Sequence, residues 1–247
     1  MAEKQKVFIR EQEIINRFFE TDRIQVPALP NWIDNKIIKH WQKLIFDLHY
    51  LPKVSLEQNL NLPLWHDKPN KYFYQKIEQG QLNQQAKKLP GKWILIDARD
   101  KPAKQRPWLR SKELWFLEKL GLKPRNYLRK SSKQLHQQEY LSPVLKQNGF
   151  GSRFCLSIYD IEILKPCILK ILKIKNKKVR LPYFIEYNYL GNAFYKQWAK
   201  TQTWEWFEDK FEQNQNLAGG SGSVCCIGWE PPDFWSTILS FRPVVEL

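Results

Sequence analysis

The chain has 247 residues, 43% of them hydrophobic and 14% aromatic, with a net charge of +15. That length can bury a sizeable core, and the apolar share is that of a globular protein rather than a disordered one. No apolar run approaches the roughly 20 residues of a membrane helix. The opening Met1-Ala2-Glu3-Lys4-Gln5-Lys6 leads into charged sequence without the apolar stretch of a secretory signal. The expectation is a protein without membrane insertion, located in the cytoplasm.

Over residues 6–22, Ile9, Ile14, Ile15, Phe18 and Phe19 fall on one helical face, and Pro27 and Pro30 end the pattern. Asn31 or Asp34 can start a second helix, with Trp32, Ile37, Ile38, Trp41, Leu44, Ile45 and Leu48 as its stripe and Pro52 as its stop. Residues 53–90 are polar and rich in Gln and Asn, and predict a long surface excursion with short ordered pieces. Trp93 to Ile96, between Gly91 and Asp97, predicts a strand. Residues 98–110 read as a basic loop, and 111–120 as a helix capped by Ser111 and stopped at Gly121. The spacing over 158–174 predicts a helix with a broad apolar face, with Pro166 at its start or kinking it. Another helix is expected over 183–199. From Gly219 onward Gly, Ser and Pro favour loops and short strands.

Charge is uneven along the chain. Residues 101–180 carry 20 Lys or Arg against 5 Asp or Glu, whereas 181–247 carry 4 against 8. The basic middle could meet nucleic acid or an acidic partner. Lys predominates there over Arg, the better phosphate fork, so a solvated face is the favoured reading.

Familiar chemistry is missing. The sequence holds no Gly-rich phosphate loop with its Lys, no HExxH and no GxSxG. Cys155, Cys167, Cys225 and Cys226 form no CxxC pair, and His40, His49, His66 and His136 are scattered. Reduced thiols and no metal or other cofactor are expected. Glu205, Glu208, Asp209 and Glu212 have helical spacing and read as a solvated helix face.

Two stretches stand out. The first is Arg180-Leu181-Pro182 through Glu186, Asn188 and Asn192, then Trp198 to Thr203-Trp204-Glu205-Trp206-Phe207. The second runs from Gly219-Gly220 through Trp229-Glu230-Pro231-Pro232-Asp233-Phe234-Trp235 to Phe241-Arg242-Pro243. The pattern R-L-P-x-x-x-E-x-N, W-x-x-T-x-T-W-E-W, G-G and a closing F-R-P resembles the C-type-lectin-fold variable proteins of diversity-generating retroelements. It is closest to the branch of small-genome archaea and bacteria within the formylglycine-generating-enzyme-like subgroup. The resemblance is most specific over 179–247 and only general over 1–90.

The resemblance implies an α+β, C-type-lectin-like fold over residues 91–247, with residues 1–90 as an N-terminal helical extension. It also implies a variable segment within about 217–240, rewritten by an error-prone reverse transcriptase that randomises template adenines. Randomised AAC or AAT codons reach Cys225, Cys226, Ile227, Gly228, Pro231, Pro232, Asp233, Phe234, Ser236, Thr237 and Leu239. They cannot reach Trp229, Glu230 or Trp235. With Ser221, Ser223 and Trp235 added, these are the expected ligand-contacting positions, and Ile227, Phe234 and Trp235 the expected anchors. Cys225-Cys226-Ile227 also suits a buried strand, because free Cys is often buried. Trp204, Trp206 and Trp229 read as scaffold. Arg242 is expected to pair with a buried carbonyl or carboxylate, with Glu186 as a candidate.

The implied function is recognition of a ligand, a protein in the first instance, without catalysis. Departures from the pattern matter. No calcium-binding Glu-Pro-Asn or Trp-Asn-Asp triplet is present, and adjacent Cys225-Cys226 lacks the spacing of an oxidase cysteine pair. Ser240 stands where relatives carry Gly. A formylglycine-generating oxidoreductase, or a nucleic-acid-binding protein using 101–180, are the competing classes.

Overall fold

The computed structural model describes residues 2–99, 156–200, 203–212, 215–220, 223–234, 236 and 239–247. The helix expected over 111–120, and most of the basic middle, lie outside the described residues. The described part is α+β, with five α-helices and two four-stranded sheets. No helix among the described residues is long and apolar enough to cross a membrane.

Helix α1 (Glu3–Phe19) buries Val7, Glu11, Ile15 and Phe18, one stripe at helical spacing, and ends where Glu20 turns left-handed at φ 49°. The charged member of that stripe is satisfied. Glu11 accepts the backbone N–H of Tyr50 at 3.0 Å and faces His49 Nδ1 at 3.1 Å, while His49 Nε2 meets the Tyr195 hydroxyl at 2.6 Å.

Helix α2 (Asn35–Lys43) starts at Asp34, whose carboxylate accepts the N–H of Ile37 at 2.8 Å. It is shorter than its apolar stripe suggests. Ile45 adopts φ 59°, and Phe46–Leu51 continue as strand β1 rather than helix. Strand β2 (Lys92–Asp97) pairs with β1 residue for residue in antiparallel register. That ladder overrides the helical periodicity of residues 44–48.

Between these strands, helix α3 (Lys71–Glu78) is capped by Asn70, and Gln84–Lys87 form a 3-10 turn. The segment is less superficial than its polarity suggests, since Leu56, Trp65, Phe73, Ile77 and Leu89 are all buried. Gly91 closes it at φ 74°, where a Cβ would lie 2.8 Å from that of Lys53.

Helix α4 (Ile158–Leu172) opens with a Ser157–Asp160 capping box and buries Ile161, Leu164 and Ile168. Pro166 sits inside the helix, not at its start, and on its exposed face. Glu162, whose carbonyl loses its helical partner to the proline, is exposed too. Strand β3 (Val179–Arg180) follows, then helix α5 (Phe184–Ala193), buried from Phe184 to Asn192. The helix expected to reach residue 199 stops there, and Lys196–Lys200 form a 3-10 turn.

The remaining strands are β4 (Trp204–Lys210), β5 (Asn216–Gly219), β6 (Ile227–Glu230), β7 (Leu239–Ser240) and β8 (Val244–Glu246). The first sheet has the order β1-β2-β8-β3 and the second β6-β5-β4-β7, with only the β4–β7 pair parallel. The first sheet is covered on both faces. Leu48, Tyr50, Trp93, Leu95 and Val245 join one core with α2 and α4, while Leu51, Ile94, Ile96 and Val244 join a second with α3 and α5. Burial on both faces explains the unbroken apolar run of β2. The boundary expected near residue 90 falls between two strands of this one sheet, because β1 precedes it and β2 follows it.

Candidate functional site

The segment singled out by sequence begins on β5 and is fastened from below. Gly219 and Gly220 make the turn: a Cβ on Gly219 would lie 2.2 Å from the Cys226 carbonyl oxygen, and Gly220 has φ 88°. Gly220 donates its N–H to that same oxygen at 3.0 Å. Val224 is buried against Gly191 of α5, where any Cβ would come within 2.7 Å of its Cγ1.

Asn188 holds this base together. Its Nδ2 donates to the carbonyls of Val224 (2.9 Å) and Asp67 (2.7 Å), and its Oδ1 accepts from Trp65 Nε1 at 2.6 Å. Asn192 extends the clamp, accepting the Asp67 N–H at 2.9 Å. Both Asn residues belong to the quoted motif, but the pattern did not disclose that they are posts for the loop. Two amides four residues apart in an otherwise aromatic and apolar stretch, where buried amides need partners, were the available signal.

Above this base, Ser223, Cys225, Cys226, Ile227 and Gly228 are half-exposed. Cys225 Sγ lies 2.7 Å from Ser223 Oγ and 3.8 Å from Cys226 Sγ, so the two thiols are unbridged. Partial burial and the neighbouring Cys225 push the Cys226 thiol upward, away from a reactive thiolate. Gly228 lies beneath Trp204, whose Cζ3 a Cβ would approach to 2.9 Å. Strand β6 forms one edge of its sheet.

Trp229 is half-exposed and packed by aromatic neighbours. Its ring stacks on Phe211 at 4.6 Å and on Tyr72 at 5.5 Å, with the Lys76 ammonium 4.8 Å above Tyr72. The turn after β6 is tied to α4, because the Pro232 carbonyl accepts the N–H of Ile158 at 3.0 Å. Pro231, Asp233 and Phe234 are exposed there, and Pro232 and Ser236 half-exposed. Ser221, Trp235 and Thr237 lie outside the described residues. Leu239 departs from expectation: it pairs with Trp204 in the β4–β7 ladder and is 2% exposed, so its side chain serves the core.

The closing Arg242 is fully buried. It forks onto Glu205 (3.0 and 2.9 Å), donates to the Asp97 and Arg99 carbonyls, and lies 3.9 Å above the Trp198 ring. A buried carbonyl or carboxylate was expected and both are found, but the carboxylate is Glu205 rather than the candidate Glu186. Glu186 is engaged by Arg180 at 2.6 and 2.8 Å. The acidic cluster is also not a solvated helix face. It lies on and just after β4, where Glu205 and Asp209 are buried and Glu208 accepts the N–H of Leu181 at 3.1 Å.

Among the described residues, no group of three or more His, Cys, Asp or Glu side chains is placed to hold a metal ion. Comparison with protein-family models, curated proteins and solved structures finds no match to this chain.

Proposed function

We propose that this is a ligand-binding display protein: a C-type-lectin-like scaffold of the diversity-generating-retroelement type, recognising a ligand, a protein in the first instance, through residues 223–236. The observation that carries the reading is a division within one segment. Its backbone is fastened to buried residues at Val224 and Pro232, and the Gly220 N–H closes the turn onto the Cys226 carbonyl, while Cys225, Cys226, Pro231, Asp233 and Phe234 remain half-exposed or exposed. Fixed backbone with free side chains lowers the ordering cost of binding whatever those side chains are.

The flanking DNA tests it. A reverse-transcriptase gene beside a near-copy of the coding sequence for about residues 217–240, differing only at template adenines, is the expected arrangement. Absence of both removes diversification from the account.

A further inference from the structure

A concavity of about 900 Å³ shares no lining residue with the displayed segment. That size is within the range of small-molecule sites. Its apolar wall presents half-exposed Val54 and exposed Pro90, with Leu82, Ala86 and Leu89 buried directly behind them. Exposed Lys53 and Lys88 also line it, and the Lys210 ammonium is engaged by Asn216 at 2.7 Å. Asp209 and Glu208 of β4 reach it from within, Asp209 being 5% exposed and Glu208 half-buried.

The inner groups set the selectivity. The first N–H groups of α5 would make an anion site, but carboxylates already occupy them. Asp209 accepts from Phe184 at 2.6 Å, and Glu186 accepts from Tyr183 at 3.0 Å. Glu186 is neutralised by Arg180. Among the described residues, neither Asp209 nor Glu208 has a Lys, Arg or His within ion-pair distance. Burial first, and Glu186 next, push the Asp209 carboxyl up to about 7, with the Phe184 N–H and the charge of Arg180 opposing them. A buried carboxyl with no cation in ion-pair contact gains from a cation delivered by a ligand.

We propose that this cleft binds a short apolar peptide with free termini, its ammonium set against Asp209 and Glu208, its side chains against Val54 and Pro90 and its carboxylate at the lysine margin. The acidic interior selects a cation, the basic margin an anion, and the wall between them an apolar body.

The test titrates the tripeptide Leu-Ala-Leu into the full chain by calorimetry, with its N-acetyl and C-amide forms alongside. Saturable binding is expected. N-acetylation should weaken it at least about tenfold, since it leaves the buried carboxyl without its cation. Amidation should weaken it only a few-fold, because the lysine margin is solvated. Asp209→Asn keeps an acceptor for Phe184 and should match the loss on N-acetylation. Gln85→Trp, at an exposed lining position, should block the cleft without touching the charges. Near pH 7 binding should release protons, read from the difference in heat between two buffers, and Asp209→Asn should abolish that release. No saturable binding of any of the three peptides at millimolar concentration overturns the proposal. So does binding indifferent to both N-acetylation and Asp209→Asn.

Discussion

Arg242 and Glu205 form a fork-to-fork ion pair with both side chains fully buried, 37 residues apart, at the point where the displayed segment returns to the first sheet. Removing one partner strands the other charge in the interior. Arg242→Met is expected to destabilise the fold by about 3–5 kcal/mol. Arg242→Lys also costs stability, because an ammonium makes neither the fork nor the stack on Trp198. Pairing Arg242→Met with Glu205→Leu should recover much of the loss. Urea unfolding of the four proteins measures this, and a double variant no better than the single one contradicts it.

Asn188 bonds three partners at the base of the segment. Asn188→Leu leaves the Trp65 N–H and two carbonyls without it, at roughly 1–3 kcal/mol for each buried group left unsatisfied. Thermal unfolding is expected to show a clear drop, and hydrogen exchange a selective loss of protection around Val224. A change within about 0.5 kcal/mol, the scatter of ordinary surface substitutions, removes the clamp from the account.

Asp209 gives stability a pH dependence of definite sign. Its folded carboxyl titrates near 7 against 3.8 for the free group, with burial the main cause. Between those values the folded state holds a proton that the unfolded state has released, so stability falls as pH rises from about 4 to about 7. Asp209→Asn should flatten that part of the profile. Denaturant midpoints at pH 4, 5.5 and 7 for both proteins check it, and identical slopes contradict it.

Gly219 and the exposed turn should respond in opposite ways. Gly219→Ala forces a Cβ against the Cys226 carbonyl and is expected to cost about 1–3 kcal/mol. Asp233→Ala and Phe234→Ser, at exposed positions, should stay within about 0.5 kcal/mol. Circular dichroism melts of the three variants decide it.

What was legible in the sequence follows where the determining interactions lie. Helices α1 and α4 and strand β2 emerge nearly where expected, α4 with its own Ser157 cap, although α1 buries Val7 and Glu11 and leaves Ile9 exposed. Strand β1 does not, because its partner lies more than 40 residues away and Leu44, Ile45 and Leu48 continue the helical stripe. The acidic group from Glu205 to Glu212 misleads in the same way. Its residues are placed by Arg242 and by the first turn of α5, which no local window contains. In the candidate site, composition marked the exposed turn at Pro231 to Phe234. Leu239 was misjudged because the parallel β4–β7 ladder that buries it is a tertiary contact.

The proposed function requires that side chains on this segment tolerate change while its backbone is held. Simultaneous randomisation of Cys225, Cys226, Pro231, Asp233, Phe234 and Ser236 with NNC codons, followed by melting of a few dozen unselected clones, tests it most directly. Most clones are expected to unfold cooperatively, with midpoints close to that of the parent. A library in which most members are unfolded would contradict the account, because these positions would then be core rather than display.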